Sequence, residues 1–154
     1  MRKLHHWLIL WFLLGQQYFT LEALYRFILK GGEKAHIAML AVGGLVCISI
    51  GAVNQIPRFY NSKIIVQAAV GTLITLIIEL AAGLILNVWL GQAIWDYTGL
   101  PGNILGQISL PFAAIWFFLM PLAIWLEDTF CYYFWGEGEC YSLASIYKDF
   151  VTFK

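Results

Sequence analysis

Residues 64–90 read IIVQAAVGTLITLIIELAAGLILNVWL, an apolar run broken by one charge, Glu79. A helix crossing a bilayer needs about 20 mostly apolar residues, and this run is long enough. Inside lipid every backbone polar group must be satisfied within the segment, so the run is expected to be a helix. Stepping by four from Gly71 picks out Thr75, Glu79, Gly83, Asn87 and Gly91, with Gln67 and Ala68 extending the row one turn earlier. Residues at i and i+4 are neighbours on a helix, so this predicts one small, polar face on an otherwise greasy rod. Small residues let a second helix approach closely, and polar ones bond across helices. A carboxylate at the centre of a spanning helix costs about 2.5–3.5 kcal/mol on insertion scales, so Glu79 needs a partner or a task. Two readings stay open: a helix-packing seam, or a wall of a translocation path or binding cavity.

Working outward, three more runs fit the same length: roughly Leu4 to Leu29, His36 to Ile56, and Ile104 to Leu126, the last stopping before Glu127 and Asp128. The composition agrees. Of 154 residues, 61% are hydrophobic, 17% aromatic and 12% charged, with mean hydropathy +0.76. A soluble domain carries about 25% charged residues. The expectation is an all-α polytopic membrane protein with about four transmembrane helices and a C-terminal amphipathic helix. Residues 1–127 would form the bundle and 128–154 an interfacial segment. In the tail, Leu143, Ile146, Tyr147, Phe150 and Val151 share a face opposite Ser142, Ser145, Lys148, Asp149 and Thr152, a pattern suited to a membrane surface or a partner groove. The start, MRKLHHWLILWFLLG, mimics a signal peptide but continues into bulky residues where a small cleavage site would be needed, so it is read as a retained helix.

Orientation follows Lys and Arg near the helix ends. Arg2, Lys3, Arg58 and Lys63 flank one side, against Arg26, Lys30 and Lys34 on the other. The balance points to N-in and C-in, which puts the loop WDYTGLPGN, residues 95–103, outside. The formal net charge is +0 and no basic patch is evident, so nucleic acid is not an expected partner. The lipid bilayer is, together with a protein partner or a second copy, since four short helices enclose little space. Cys131 and Cys140 leave a disulfide open.

Other polar residues are candidates for function. Glu22 and Arg26, four apart, can pair on one helix face, either as an anchor at the helix end or as a link to Glu79 or Asp96. Trp95 and Tyr97 fit an interfacial aromatic belt. Thr98-Gly99 and Pro101-Gly102 are turn chemistry, and Asn103 is placed to cap a helix starting at Ile104. Pro111 and Pro121 would kink that helix. The candidate polar core is therefore Glu79, Asp96, Glu22, Arg26, Asn103, Thr75, Asn87, Trp95 and Tyr97. No catalytic motif, metal set or cofactor signature is found, and no metal or cofactor is expected. Without a phosphate-binding glycine loop followed by Gly-Lys, any ATPase would be a separate chain.

Two stretches carry a resemblance. TLITLIIELAAGLILNVWLGQAIWDYTGLPGNILGQISLPFAAIW resembles the core of the ABC-transporter type IV, permease-like family of small bacterial integral membrane proteins. The family pattern falls on Glu79, Gly83, Trp95, Asp96, Tyr97, Asn103, Gly106 and Trp116. GQQYFTLEALYRF is similar to the family's first helix at Gly15, Glu22, Tyr25 and Arg26. The family's Asn-Arg-Gly loop and Gly-Pro segment are absent from KGGEKAHIAMLAVGG. The resemblance implies a bacterial cytoplasmic membrane location and a membrane subunit of a transport or export system. A non-catalytic assembly or regulatory subunit is the alternative. An intramembrane enzyme using Glu22, Glu79 and Asp96 ranks last.

Overall fold

The computed structural model describes residues 3–154, so Arg2, one of the flanking cations, lies outside the described residues. The chain is all-helical, and no strand occurs among the described residues. α1 spans Leu4–Leu29 and stops where Gly31 and Gly32 take left-handed φ of 68° and 91°, a conformation glycine adopts without strain. α2 spans Ala38–Asn54, and α3 is the single turn Pro57–Tyr60. α4 spans Ile64–Gly83 and continues as a π-helical turn, Leu84–Trp89. α5 spans Leu110–Trp135 and α6 spans Leu143–Thr152, its first turn capped by Ser142 Oγ accepting from Ser145 N at 3.1 Å.

Two helices are long and apolar enough to cross a membrane, Ile64–Trp89 and Leu110–Trp135, of 26 residues each. α2 is apolar but has only 17 residues, and α1 has the length but is diluted by Gln16, Gln17, Thr20, Glu22 and Arg26. The outer faces are apolar: Leu73, Ile77 and Phe118 are 59%, 59% and 61% exposed.

The last long helix starts and ends later than hydropathy suggests. Ile104 to Ser109 belong to a loop, because Leu105 and Gly106 take φ of 52° and 69° and Ile104 N donates to Ile108 O at 3.0 Å across a tight reversal. Pro111 consequently sits in the first turn, where it removes no helical bond; only Pro121 lies inside the helix. At the other end the helix runs on past Glu127, which is 2% exposed and accepts from Cys131 Sγ at 3.3 Å. Gly136, with φ 65°, ends it. Cys131 is buried, Cys140 is exposed, and both are free of disulfides.

The long helices run antiparallel and define two ends. At one end the start of α1 meets the end of α5, where the His6 ring stacks on Trp135 at 4.2 Å. The tail closes there too. Ile64 N donates to Lys154 O at 3.1 Å, Tyr147 Oη to Phe118 O at 2.9 Å, and Trp125 Nε1 to Tyr141 O at 2.9 Å. The apolar face of α6 is partly used inside the chain, since Ile146 and Phe150 are buried with Ile64, Ala68, Met120 and Ile124. At the opposite end lie the C-terminus of α1, the π turn and the loop of residues 90–109.

α1 packs most extensively on α2, and glycine makes this possible. A Cβ on Gly15 would collide with the Leu40 carbonyl oxygen, one on Gly44 with the Trp11 carbonyl oxygen, and one on Gly43 with the Tyr18 ring. The row is buried as its periodicity predicts along α4, where Gln67, Ala68, Gly71, Thr75, Glu79 and Gly83 all face inward, whereas Gly91, its last member, is exposed in the loop with a φ of 63°. Gly71 gives room to Met120 of α5, and Gly83 to the side chain of Gln107.

Candidate functional site

The loop of residues 90–109 is held from below by one side chain. Asn87, in the π turn, donates from Nδ2 to Trp95 O at 3.0 Å and to Gln107 Oε1 at 2.7 Å, while its Oδ1 accepts from Ile94 N at 2.7 Å. Trp95 turns its buried ring inward and donates from Nε1 to Gln107 O at 3.0 Å. These bonds satisfy backbone groups that have no helical partner.

The outer half of the loop is braced by Asp96 and Asn103. Asp96 is exposed; its Oδ1 accepts from Thr98 N at 2.8 Å and its Oδ2 from Thr98 Oγ1 at 3.1 Å, which closes an Asx turn. Asn103 does not cap a helix, because the helix begins seven residues later at Leu110. Its Nδ2 donates to Thr98 O at 3.0 Å and Leu100 O at 2.9 Å, and its Oδ1 accepts from Gly106 N at 3.3 Å. A Cβ on Gly106 would press on Thr98 and Asp96, and its φ of 69° is left-handed, so glycine is needed there.

Arg26 ties α1 to this loop. Its Nε lies 2.6 Å from Glu22 Oε1, its Nη1 3.5 Å from Glu33 Oε2, and its Nη2 donates to Ile94 O at 2.9 Å. The Glu22–Arg26 pair therefore exists, and Arg26 reaches the loop through a backbone carbonyl, not through the Asp96 carboxylate. Beside it the Tyr97 ring stacks on Phe112 at 4.3 Å, and Phe112 meets Tyr25 edge-on at 6.0 Å. Burial, then the charges of Glu79 and Glu22, raise the Tyr97 phenol above its ordinary pKa, so it is neutral here.

Between these groups lies a cleft of about 560 Å³, with Glu22, Arg26, Asp96, Trp95, Tyr97 and Lys30 among its walls. The other candidates lie elsewhere. Asn87 and Asn103 are internal braces. Thr75, 1% exposed, donates to its own helix at Gly71 O, 2.9 Å away. Glu79, 2% exposed, accepts from Trp116 Nε1 at 2.9 Å, and the Trp116 ring stacks on Tyr18 at 5.5 Å. Glu79 thus holds an aromatic wall from behind. Glu22, Glu79 and Asp96 do not meet in one place, and among the described residues no three His, Cys, Asp or Glu are grouped to share a metal ion.

Three residues matter that the polar-core candidates omit. Gln107 is 6% exposed and links Asn87 to the loop. Trp116 carries the bond to Glu79. Glu127 packs against Gly51, whose missing Cβ makes room for its carboxylate. The last was detectable: Met120, Ile124, Glu127 and Cys131 step at helical spacing along the buried face of α5.

Two apolar helices of spanning length and an apolar exterior fit a membrane protein. The family model described as Putative ABC-transporter type IV matches residues 9–147, and the chain belongs to that family. No curated protein and no solved structure matches it. Many of the residues that carried the resemblance touch one another: Glu79 with Trp116, Tyr97 with Gly106, Asn103 with Gly106, and Glu22 with Arg26.

Proposed function

We propose that the chain is a membrane subunit of a transport or export system in the bacterial cytoplasmic membrane, working with partner chains that include a separate ATPase. Membership of the family over residues 9–147 is the observation that carries this reading. In it, α1, α2, α4 with its π turn, and α5 are four spans, with N- and C-termini inside. Lys3, Arg58, Lys63 and Lys148 then lie at the cytoplasmic end. The exposed Val151 and Phe153 of the tail, 69% and 63% accessible, rest at the membrane surface. The cleft at Glu22, Arg26 and Asp96 is the outer mouth of the path.

The test is affinity purification of the full chain from its native membranes, with ATP hydrolysis measured on the eluate. A co-eluting nucleotide-hydrolysing chain is expected. A monomer emerging alone, without activity, refutes the reading. The assembly-subunit alternative draws on a specific observation, that the α4 polar row is used up in packing. Glu79→Gln separates the two: lost hydrolysis coupling in a folded, assembled complex supports transport, whereas failed assembly alone supports the alternative.

A further inference from the structure

The space between α1 and α5 is one continuous groove. The cleft of about 560 Å³ shares Glu22, Tyr25, Phe112 and Ile115 with a middle void of about 180 Å³. The middle void shares Tyr18, Leu21, Trp116 and Leu119 with a deep one of about 60 Å³ that reaches Thr75 and Met120. Charge is confined to the mouth, apart from Glu22 at the boundary; beyond it the walls are uncharged and largely aromatic and aliphatic, with Gln17 and Thr75 among them in the deep part. Leu21 and Ile115, on the two lips, are 45% and 43% exposed, so the groove opens sideways along the helices.

This profile, charged at the helix ends and apolar down the helices, matches an amphiphile lying parallel to them. The mouth holds three carboxylates, Glu22, Glu33 and Asp96, against two cations, Arg26 and Lys30. Arg26 is already engaged by Glu22 and Glu33. That leaves an excess of negative charge which an anionic headgroup would oppose and an ammonium would meet, with Lys30 beside it for a phosphate.

We propose that the α1–α5 groove binds one acyl chain of a zwitterionic aminophospholipid, its ammonium toward Asp96 and Glu33 and its phosphate toward Lys30. Trp116 forms the wall against which the chain lies, and Glu79 is a positioning residue that fixes that ring. The site stands whether or not the chain serves a transport system.

The test uses the full chain reconstituted in vesicles of phosphatidylethanolamine and phosphatidylglycerol in equal parts, released into mild detergent and weighed by native mass spectrometry. One phosphatidylethanolamine per chain is expected to be retained, about tenfold over phosphatidylglycerol. Leu119→Trp, which fills the groove, should abolish retention, and Leu73→Trp on the outer face of α4 should not. Asp96→Asn, which keeps an oxygen for Thr98 N, should reduce the preference for phosphatidylethanolamine. A phosphatidylethanolamine with a photoreactive acyl chain, applied to the unaltered protein, should label Leu21, Ile115 or Leu119. This last measurement holds even if Leu119→Trp fails to fold. Equal retention of both lipids, retention indifferent to Leu119→Trp, or label spread over the outer faces would overturn the proposal. So would a dimer that buries Leu21 and Ile115, because the occupant would then be a second copy.

Discussion

α1 has two neighbours and treats them in opposite ways. Against α2 it is keyed by Gly15 and Gly44, where backbone meets backbone, and by Gly43, which lies against the Tyr18 ring. Against α5 it closes at its start, where His6 stacks on Trp135, but its later half stands off, touching at rings such as Tyr18 on Trp116 and leaving a groove beside it. Small residues in a membrane helix mark surfaces meant to close. The α5 side of α1 instead offers Tyr18, Leu21 and Tyr25, which hold the helices apart. The difference assigns scaffold to one side and the working surface to the other.

The scaffold side should show the largest effect. Gly44→Leu drives a side chain into the Trp11 carbonyl and should cost about 3 kcal/mol or more, read as a large drop in melting temperature in detergent. A melting point close to the unaltered protein would mean that α1 and α2 are not keyed as described. On the working side the next largest effect is at Arg26. Arg26→Ala leaves Ile94 O and two carboxylates without their donor, at about 1–3 kcal/mol, and should free the loop of residues 90–109 for proteolysis before the bundle melts. Glu79→Gln keeps an acceptor for Trp116 Nε1 and should change stability by less than about 1 kcal/mol, whereas Glu79→Leu strands that donor at about 1–3 kcal/mol. Equal losses for both would show that the charge, not the hydrogen bond, matters at this position.

A modest effect belongs to the far end, where the tail docks. The Tyr141 hydroxyl donates to Asp128. Burial, the Asp128 charge and that bond raise its pKa well above the usual phenol value. A raised value means the contribution is present below about pH 10, the unfolded value, and is lost as pH rises through the folded one. Tyr141→Phe should therefore lower stability by about 1 kcal/mol at neutral pH, with no narrowing of the gap up to about pH 10 in a thermal melt series.

The scaffold was more legible in the sequence than the site. The Gly71–Thr75–Glu79–Gly83 row is a periodic signal, and the buried face of α4 follows it. The ion pair of Glu22 and Arg26 is likewise a spacing effect. The loop was not legible, because hydropathy says nothing about backbone angles. Ile104, Leu105 and Ile108 read as the start of a helix, yet the left-handed turn at Leu105–Gly106 folds them back. Asn103 followed that error from helix cap to loop brace. Spacing leaves the partner of Glu79 open, and Trp116, a long-range partner invisible in local spacing, takes its carboxylate.

The contrast between the two sides of α1 is most directly tested by spin-label distances in lipid nanodiscs. One pair would report α1 against α2, at Leu8 and Leu45, and the other α1 against α5, at Leu24 and Phe118, all four being well exposed. The account predicts a narrow distribution for the first pair that ignores the phospholipid present. For the second it predicts a broader distribution that shifts when phospholipid is stripped away. Two equally narrow distributions, both indifferent to phospholipid, would mean that α1 and α5 are closed together in the membrane, and would contradict it.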